Sequence, residues 1–284
     1  MKLIKRESEL FIPFEIEEEI ALSQTTDLCI AAHQDDIEVM AYGAIAECYG
    51  RSDKFFTGVV CTDGANSPRT GIYADMTNED MVAVRKNEQR LAASVGGYSA
   101  QFMLGYTSAQ VKDADYGELV DQLEEIIKAT RPQTIYTHNL ADKHETHVAV
   151  ALRTIAAIRR IPQQYRPEKL YATEVWRGLD WLMDNDKVVF DTSPHPHLSA
   201  ALVGLFHSQI AGGKRYDLAI AGRRIANATF FESHSTDRYD SVSYGLDMTP
   251  LIENDAMQPA EFILRYIHAL QNDVCSKIEK FSKS

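Results

Sequence analysis

Asp27-Leu28-Cys29-Ile30-Ala31-Ala32, followed at once by His33-Gln34-Asp35-Asp36, is the stretch on which the fold turns. A short apolar run without polar alternation is what a strand buried on both faces of a parallel sheet shows. The polar cluster marks where that strand ends. Outward from it, a helical pattern runs from about Glu38 to Tyr49, and a second strand from Phe55 to Cys61 stops at the turn Asp63-Gly64. Ala65 to Thr77, rich in Asn, Ser, Pro and Gly, reads as a long loop of the kind that borders a site. Thr77-Asn78-Glu79-Asp80 then opens a capped helix that should reach Val95 and stop at Gly96-Gly97. A strand near Ser99–Leu104, a helix over Gly117–Ala129, a strand Thr134–Thr137 leading to His138, and a helix from about His144 to Arg160 complete the series.

Strands alternating with helices at this spacing predict an α/β, Rossmann-like three-layer fold. Its sheet should be mostly parallel, with the ligand site at the C-terminal ends of the strands. Beyond Pro162 the pattern gives strands at Leu170–Trp176 and Lys187–Asp191, helices from about His195 to Ile210 and Tyr216 to Asn227, and a closing helix Pro259 to about Phe281. The expectation is a single domain over 1–284: an N-terminal extension 1–26, an α/β core 27–160, and a portion 161–284 that completes the sheet and pocket.

With 29 basic against 41 acidic residues, a net charge of −12, most of the surface would repel nucleic-acid phosphates and anionic membranes, so neither is an expected partner. A local cationic pocket for one acidic group of a small substrate is compatible with that balance. Cys29, Cys48, Cys61 and Cys275 form no CxxC pair and read as reduced core residues. Glu15, Glu17, Glu18 and Glu19 interrupt the N-terminal apolar residues, so no signal-peptide core forms, and no run approaches the roughly 20 apolar residues of a membrane span. A cytoplasmic location is the expectation.

In an open α/β sheet the ligand site lies beyond the carboxyl ends of the strands, and both polar clusters, His33 to Asp36 and His138 to His147, fall there. Imidazole and carboxylate are the ligands zinc takes in hydrolytic sites, three from the protein with one position open to water. His33, Asp36 and His147 supply that count. His144 and His147, three apart at a helix start, share one face, so one can bind metal while the other meets substrate. The dipeptide Asp35-Asp36 can provide both a ligand and a nearby general base.

Ala32-His33-Gln34-Asp35-Asp36-Ile37-Glu38 resembles the AHPDDE signature of the LmbE/PIG-L family of zinc-dependent N-deacetylases, and Asp142-Lys143-His144-Glu145-Thr146-His147 resembles its second motif, DxHPDH. Arg85-Lys86-Asn87-Glu88 is similar to the family's RxxE helix, and His207-Ser208-Gln209 to a segment of the branch acting on N-acetylglucosaminyl malate. The resemblance spans about residues 27 to 235. It implies zinc, with ferrous iron or another divalent metal as the alternative, on His33, Asp36 and His147. It further implies Asp35 as general base, His144 as the group that stabilises the oxyanion or assists the leaving amine, and Arg85 at the substrate. The expected reaction is hydrolysis of an N-acetyl group from an N-acetylglucosamine-containing small molecule. Deacylation of another amide, or a catalytically inactive metal-binding homologue, are the alternatives. Because the family includes monomers and larger assemblies, a homo-oligomer is compatible with the resemblance.

Departures from the family pattern are Gln34 and Glu145-Thr146 where it has Pro and Pro-Asp, Glu38 one position late, and Tyr106-Thr107 after Leu104-Gly105. His138 reads as strand-end packing beside the site, Arg85 and Glu88 could be no more than a surface ion pair, and core is favoured over a sugar platform for Trp176 and Trp181.

Overall fold

The computed structural model describes residues 1–232 and 234–282. Eight strands form one sheet: β1 Glu9–Phe11, β2 Asp27–Ala31, β3 Phe56–Thr62, β4 Ala100–Tyr106, β5 Thr134–His138, β6 Lys169–Thr173, β7 Lys187–Asp191 and β8 Val242–Asp247. Their order is β1-β4-β3-β2-β5-β6-β8-β7. The five central strands pair in parallel, while β1, β8 and β7 add antiparallel edges. The expected α/β architecture is therefore present.

Alternation along β2 sets up the layers: Leu28 and Ile30 enter one core, Cys29 and Ala31 the other. Both faces of the strand are covered, which is why its sequence is apolar throughout. The chain moves from β2 outward to β3 and β4, then returns to lay β5 on the opposite side of β2. This reversal opens a crevice beyond the ends of β2 and β5, where a doubly wound sheet holds its ligand.

Two predicted helices are each split in two, for physical reasons. In place of one helix from Glu38 to Tyr49 there are Asp36–Met40 and Tyr42–Cys48. The buried Arg224 guanidinium donates to the Glu38 and Val39 carbonyls at 2.7 and 3.0 Å, taking acceptors that the next turn would have used. Likewise His195 to Ile210 divides into Pro196–Gly204 and His207–Ala211, because the backbone N–H of Ser208 donates to Glu88 at 2.6 Å. By contrast the helix Asn78–Gly96 begins in the expected Thr77/Asp80 capping box and ends at Gly97, whose φ of 68° suits glycine. Strands β1 and β8 and the helices Glu18–Ser23 and Ser108–Lys112 were not anticipated. Cys275 also departs from expectation: it is exposed, and all four cysteines are free. No helix among the described residues is long and apolar enough to cross a membrane.

Candidate metal centre and its cavity

His33, leaving β2, and Asp36, opening the helix Asp36–Met40, approach each other because the carboxylate oxygen Oδ2 of Asp36 accepts the His33 backbone N–H at 2.7 Å. His147 comes from the first turn of the helix Glu145–Arg160, which follows β5. Three donor atoms meet there. His33 Nδ1 lies 3.1 Å from Asp36 Oδ2 and 3.2 Å from His147 Nε2, and His147 Nε2 lies 3.4 Å from Asp36 Oδ2.

Bonds of about 2.0–2.2 Å at tetrahedral angles put ligand atoms about 3.3 Å apart or slightly more, so this triangle has the edge length that zinc requires. Two imidazole nitrogens and one carboxylate oxygen are also the donor set of hydrolytic zinc sites. His147 is prepared for such a role: its Nδ1 faces Asp142 Oδ2 at 3.1 Å, which holds the proton on that nitrogen and turns the Nε2 lone pair toward the triangle. Asp142 thus acts on the ligand through its second nitrogen.

His138 closes the floor of the site. Fully buried, it stacks on His147 at 3.9 Å between centroids, and its Nε2 accepts the Ala32 N–H at 2.8 Å while lying 3.4 Å from Asp36 Oδ2. It thereby fixes the backbone just before His33. Asp36, His138 and His147 form one cluster able to hold a cation, and His33, His144 and His147 form another, with His147 shared.

Asp35 stands beside the triangle with φ at 89°, a left-handed conformation that costs a non-glycine residue roughly 1–3 kcal/mol. Its Oδ2 is 3.2 Å from Arg85 Nη2. Burial pushes the Asp35 carboxyl up to about 6, against the pull of Arg85 and with some help from Asp36. His144 stacks on His147 at 4.6 Å, and its Nδ1 is buried without a protein partner. Burial, then the two neighbouring imidazoles, lower its pKa and so favour the neutral ring.

Arg85 and Glu88 are no surface pair, being 1% and 5% exposed. Arg85 Nη1 donates to Glu88 at 2.9 Å, Nη2 donates to the Gln34 carbonyl, and Glu88 also accepts the Ser208 hydroxyl at 2.8 Å. Expected at the substrate, Arg85 lines the cavity but directs its guanidinium ends to protein groups, Asp35 among them. Gln34, at the family's proline position, supplies that carbonyl while its amide donates to the Thr62 carbonyl at 3.2 Å. Gly64, at φ 74°, leaves room for both: a Cβ there would meet Gln34 Oε1 at 2.5 Å and Arg85 Cγ at 3.1 Å.

His33, Asp35, Asp36, Arg85 and His144 all open on one cavity of about 620 Å³, within the span usual for small-molecule sites. Trp176 belongs to its wall rather than to the core, with its ring parallel to His144 at 6.4 Å. Trp181 instead donates its indole N–H to Glu174 at 3.2 Å. Asp142, Glu88 and Ser208 received no role from the sequence. Asp142 lies inside the second motif and could have been found; the Glu88–Ser208 contact joins positions too far apart in the chain to be read from spacing.

Residues 28–158 match the family described as GlcNAc-PI de-N-acetylase, PIG-L. Over 141 residues the chain is 30% identical to the uncharacterized deacetylase YaiS of Escherichia coli (strain K12), covering 48% of this chain and 69% of that protein. Among solved structures, GalB, the 4-carboxy-2-hydroxymuconate hydratase of Pseudomonas putida KT2440, is similar with a TM-score of 0.59 at 19% identity, covering 79% of this chain and 96% of that one. The N,N'-diacetylchitobiose deacetylase of Pyrococcus horikoshii gives a TM-score of 0.57 at 16% identity, covering 78% and 83%. At such identities the likeness shows the fold alone. A hydratase and a deacetylase share that fold, so architecture by itself does not choose the reaction.

Proposed function

The chain belongs to the PIG-L (LmbE-like) family of deacetylases, and from that premise we propose that it removes the N-acetyl group of an N-acetylglucosamine-containing small molecule, with zinc held by His33, Asp36 and His147. The observation that carries the reading is the triangle of donor atoms 3.1 to 3.4 Å on a side, with a second carboxyl, Asp35, free of it and facing the same cavity.

An ion held by His33, Asp36 and His147 would supply Lewis acidity toward an acyl oxygen and toward water near neutral pH. The protein's own groups do the rest. Asp35, steadied by Arg85, takes the proton of the attacking water and later returns it to the departing amine. A ring N–H of half-buried His144, its neutral form favoured, donates to the acyl oxygen as that atom gains charge. One amide and one water become acetate and a free amine. Arg85 acts through Asp35 and not directly on the substrate.

The test is acetate release from a panel of N-acetylglucosamine conjugates by the purified protein, before and after chelation and with zinc or ferrous iron restored. Release that is abolished by chelator and recovered on adding metal is the expected result. Metal-loaded protein that liberates acetate from no member of the panel overturns the proposal.

A further inference from the structure

The closing helix Pro259–Phe281 meets the body of the molecule along one face of its first half. Phe262 and Ile263 are buried and Tyr266 packs on the same core, whereas residues 274–282 are all exposed. A second face carries an apolar seam that nothing among the described residues covers: Leu264, Ile267, Val274, Ile278 and Phe281, each 39% to 77% exposed, with exposed Gln271 in their midst. Successive seam positions are 3, 4, 3, 4 and 3 residues apart, the heptad spacing of a coiled coil, over about 25 Å of helix. Helical stability in proteins comes mostly from a packed apolar face, and the last turns of this helix gain none from the body. A partner for the seam is therefore called for.

The seam is complementary to itself. Run antiparallel about a twofold axis between Asn272 and Asp273, its six positions all find partners: Leu264 meets Phe281 of the second copy, Ile267 meets Ile278, and Gln271 meets Val274. The two Gln271 amides then fall in adjacent layers, about 4.5 Å apart along the axis and within reach of each other. One polar pair inside an apolar seam is the kind of feature that fixes register. Charge favours the same partner. The chain carries a net −12, yet over residues 259–282 Glu261, Asp273 and Glu279 are balanced by Arg265, Lys277 and Lys280, so two acidic molecules can approach here with little repulsion. Lys277 is moreover paired with Asp273 of its own helix at 2.7 Å, and the basic excess that an anionic membrane surface attracts is absent. Antiparallel pairing opposes the helix dipoles and sets the two acidic bodies, anchored at Phe262, Ile263 and Tyr266, at opposite ends of the seam; parallel pairing would hold them side by side.

We propose that this seam is a self-association surface, through which two copies of the chain pair as an antiparallel two-helix coiled coil. The proposal is independent of the reaction at the metal centre. Sedimentation equilibrium of the full chain between about 1 and about 100 μM should return the mass of a dimer. The double variant Val274→Glu/Ile278→Glu, at two exposed positions, should weaken dimerisation by about 100-fold or more while leaving the near-ultraviolet circular dichroism of the body unchanged. Orientation is read separately, with Cys275 replaced by Ser. Ile267→Cys chains mixed with Ile278→Cys chains should oxidise to a disulfide between the two kinds of chain, and neither kind should link to itself, because like positions lie about 16 Å apart along the axis. A parent that is monomeric at about 100 μM, a double variant that dimerises as the parent does, or disulfides formed only between like chains would each overturn the proposal. A monomeric parent that floats with phosphatidylcholine vesicles overturns it too, and gives the seam to a lipid surface.

Discussion

Asp35 occupies a backbone conformation that few residues other than glycine adopt, and the strain is held in place by what surrounds it: Arg85 on its carboxylate, and Asp36 beside it committed to the triangle. The two neighbouring carboxyls are thereby given different work. Asp36 is driven well below the usual carboxylate range, with the charges of His147 and His33 outweighing its burial, whereas Asp35 is pushed up by burial. Asp35→Asn retains an oxygen for Arg85 yet cannot take a proton. The expected outcome is a kcat reduced by about 10²- to 10⁴-fold with metal content unchanged, checked by acetate release alongside elemental analysis. Turnover within a few-fold of the parent would remove Asp35 from the role of base. The five residues proposed to hold the metal and to react, His33, Asp35, Asp36, His144 and His147, could be singled out because they lie in two short, polar interruptions that directly follow strands. His138 reads as packing beside the site and does pack there, but an isolated strand-end histidine gives no signal of the ring it will stack upon.

At the scale of elements, strand positions in the parallel core were readable because burial on both faces forces unbroken apolar runs, as in β2 and β3. The breaks were not. Arg224 reaches the Glu38 carbonyl, and Glu88 reaches the Ser208 amide, across more than a hundred residues, and no local pattern encodes such a partner. Strand β8 did carry a signal, Val242, Tyr244 and Leu246 alternating with Ser243, Gly245 and Asp247, but it lies far in sequence from the strands β6 and β7 that it joins. The segment after β6 yields a prediction of its own. Glu174 ties it together by accepting the Leu179 N–H and the Trp181 indole N–H, and burial raises its carboxyl to about 7. An unfolded chain loses that proton near pH 4.5, so between there and about 7 the folded state holds up to one more proton and stability falls as pH rises. Over the window the loss is on the order of 3–4 kcal/mol. Glu174→Gln keeps one oxygen for one of the two N–H donors and turns its own N–H toward the other, so in urea denaturation it should be less stable than the parent at pH 5 but lose less stability between pH 5 and pH 8. Parallel pH dependence in the two proteins would show that the buried carboxyl is not the cause.

Over the whole molecule, the triangle joins two separate passages of the chain, the turn after β2 and the helix after β5, on either side of the sheet's reversal point. A cation held there can bind only when both passages are in place, so its binding free energy adds to the stability of the folded state. Free metal at 1,000 times its Kd would contribute about 4 kcal/mol, and for a chain of this length each kcal/mol moves Tm by roughly 2 °C. A chelator should therefore lower Tm by about 8 °C, and restored zinc should bring it back. The variants divide according to the part each residue plays. His147→Ala removes one corner of the triangle and should melt at one temperature with or without metal. Asp35→Asn, whose side chain stands outside the triangle, should keep the full metal-dependent shift while losing turnover. Scanning calorimetry of the three proteins separates a ligand from a residue outside the triangle with no knowledge of the substrate. A metal-dependent shift of parental size in His147→Ala would place the ion on a different set of donors, of which His33 with His144 is the nearest.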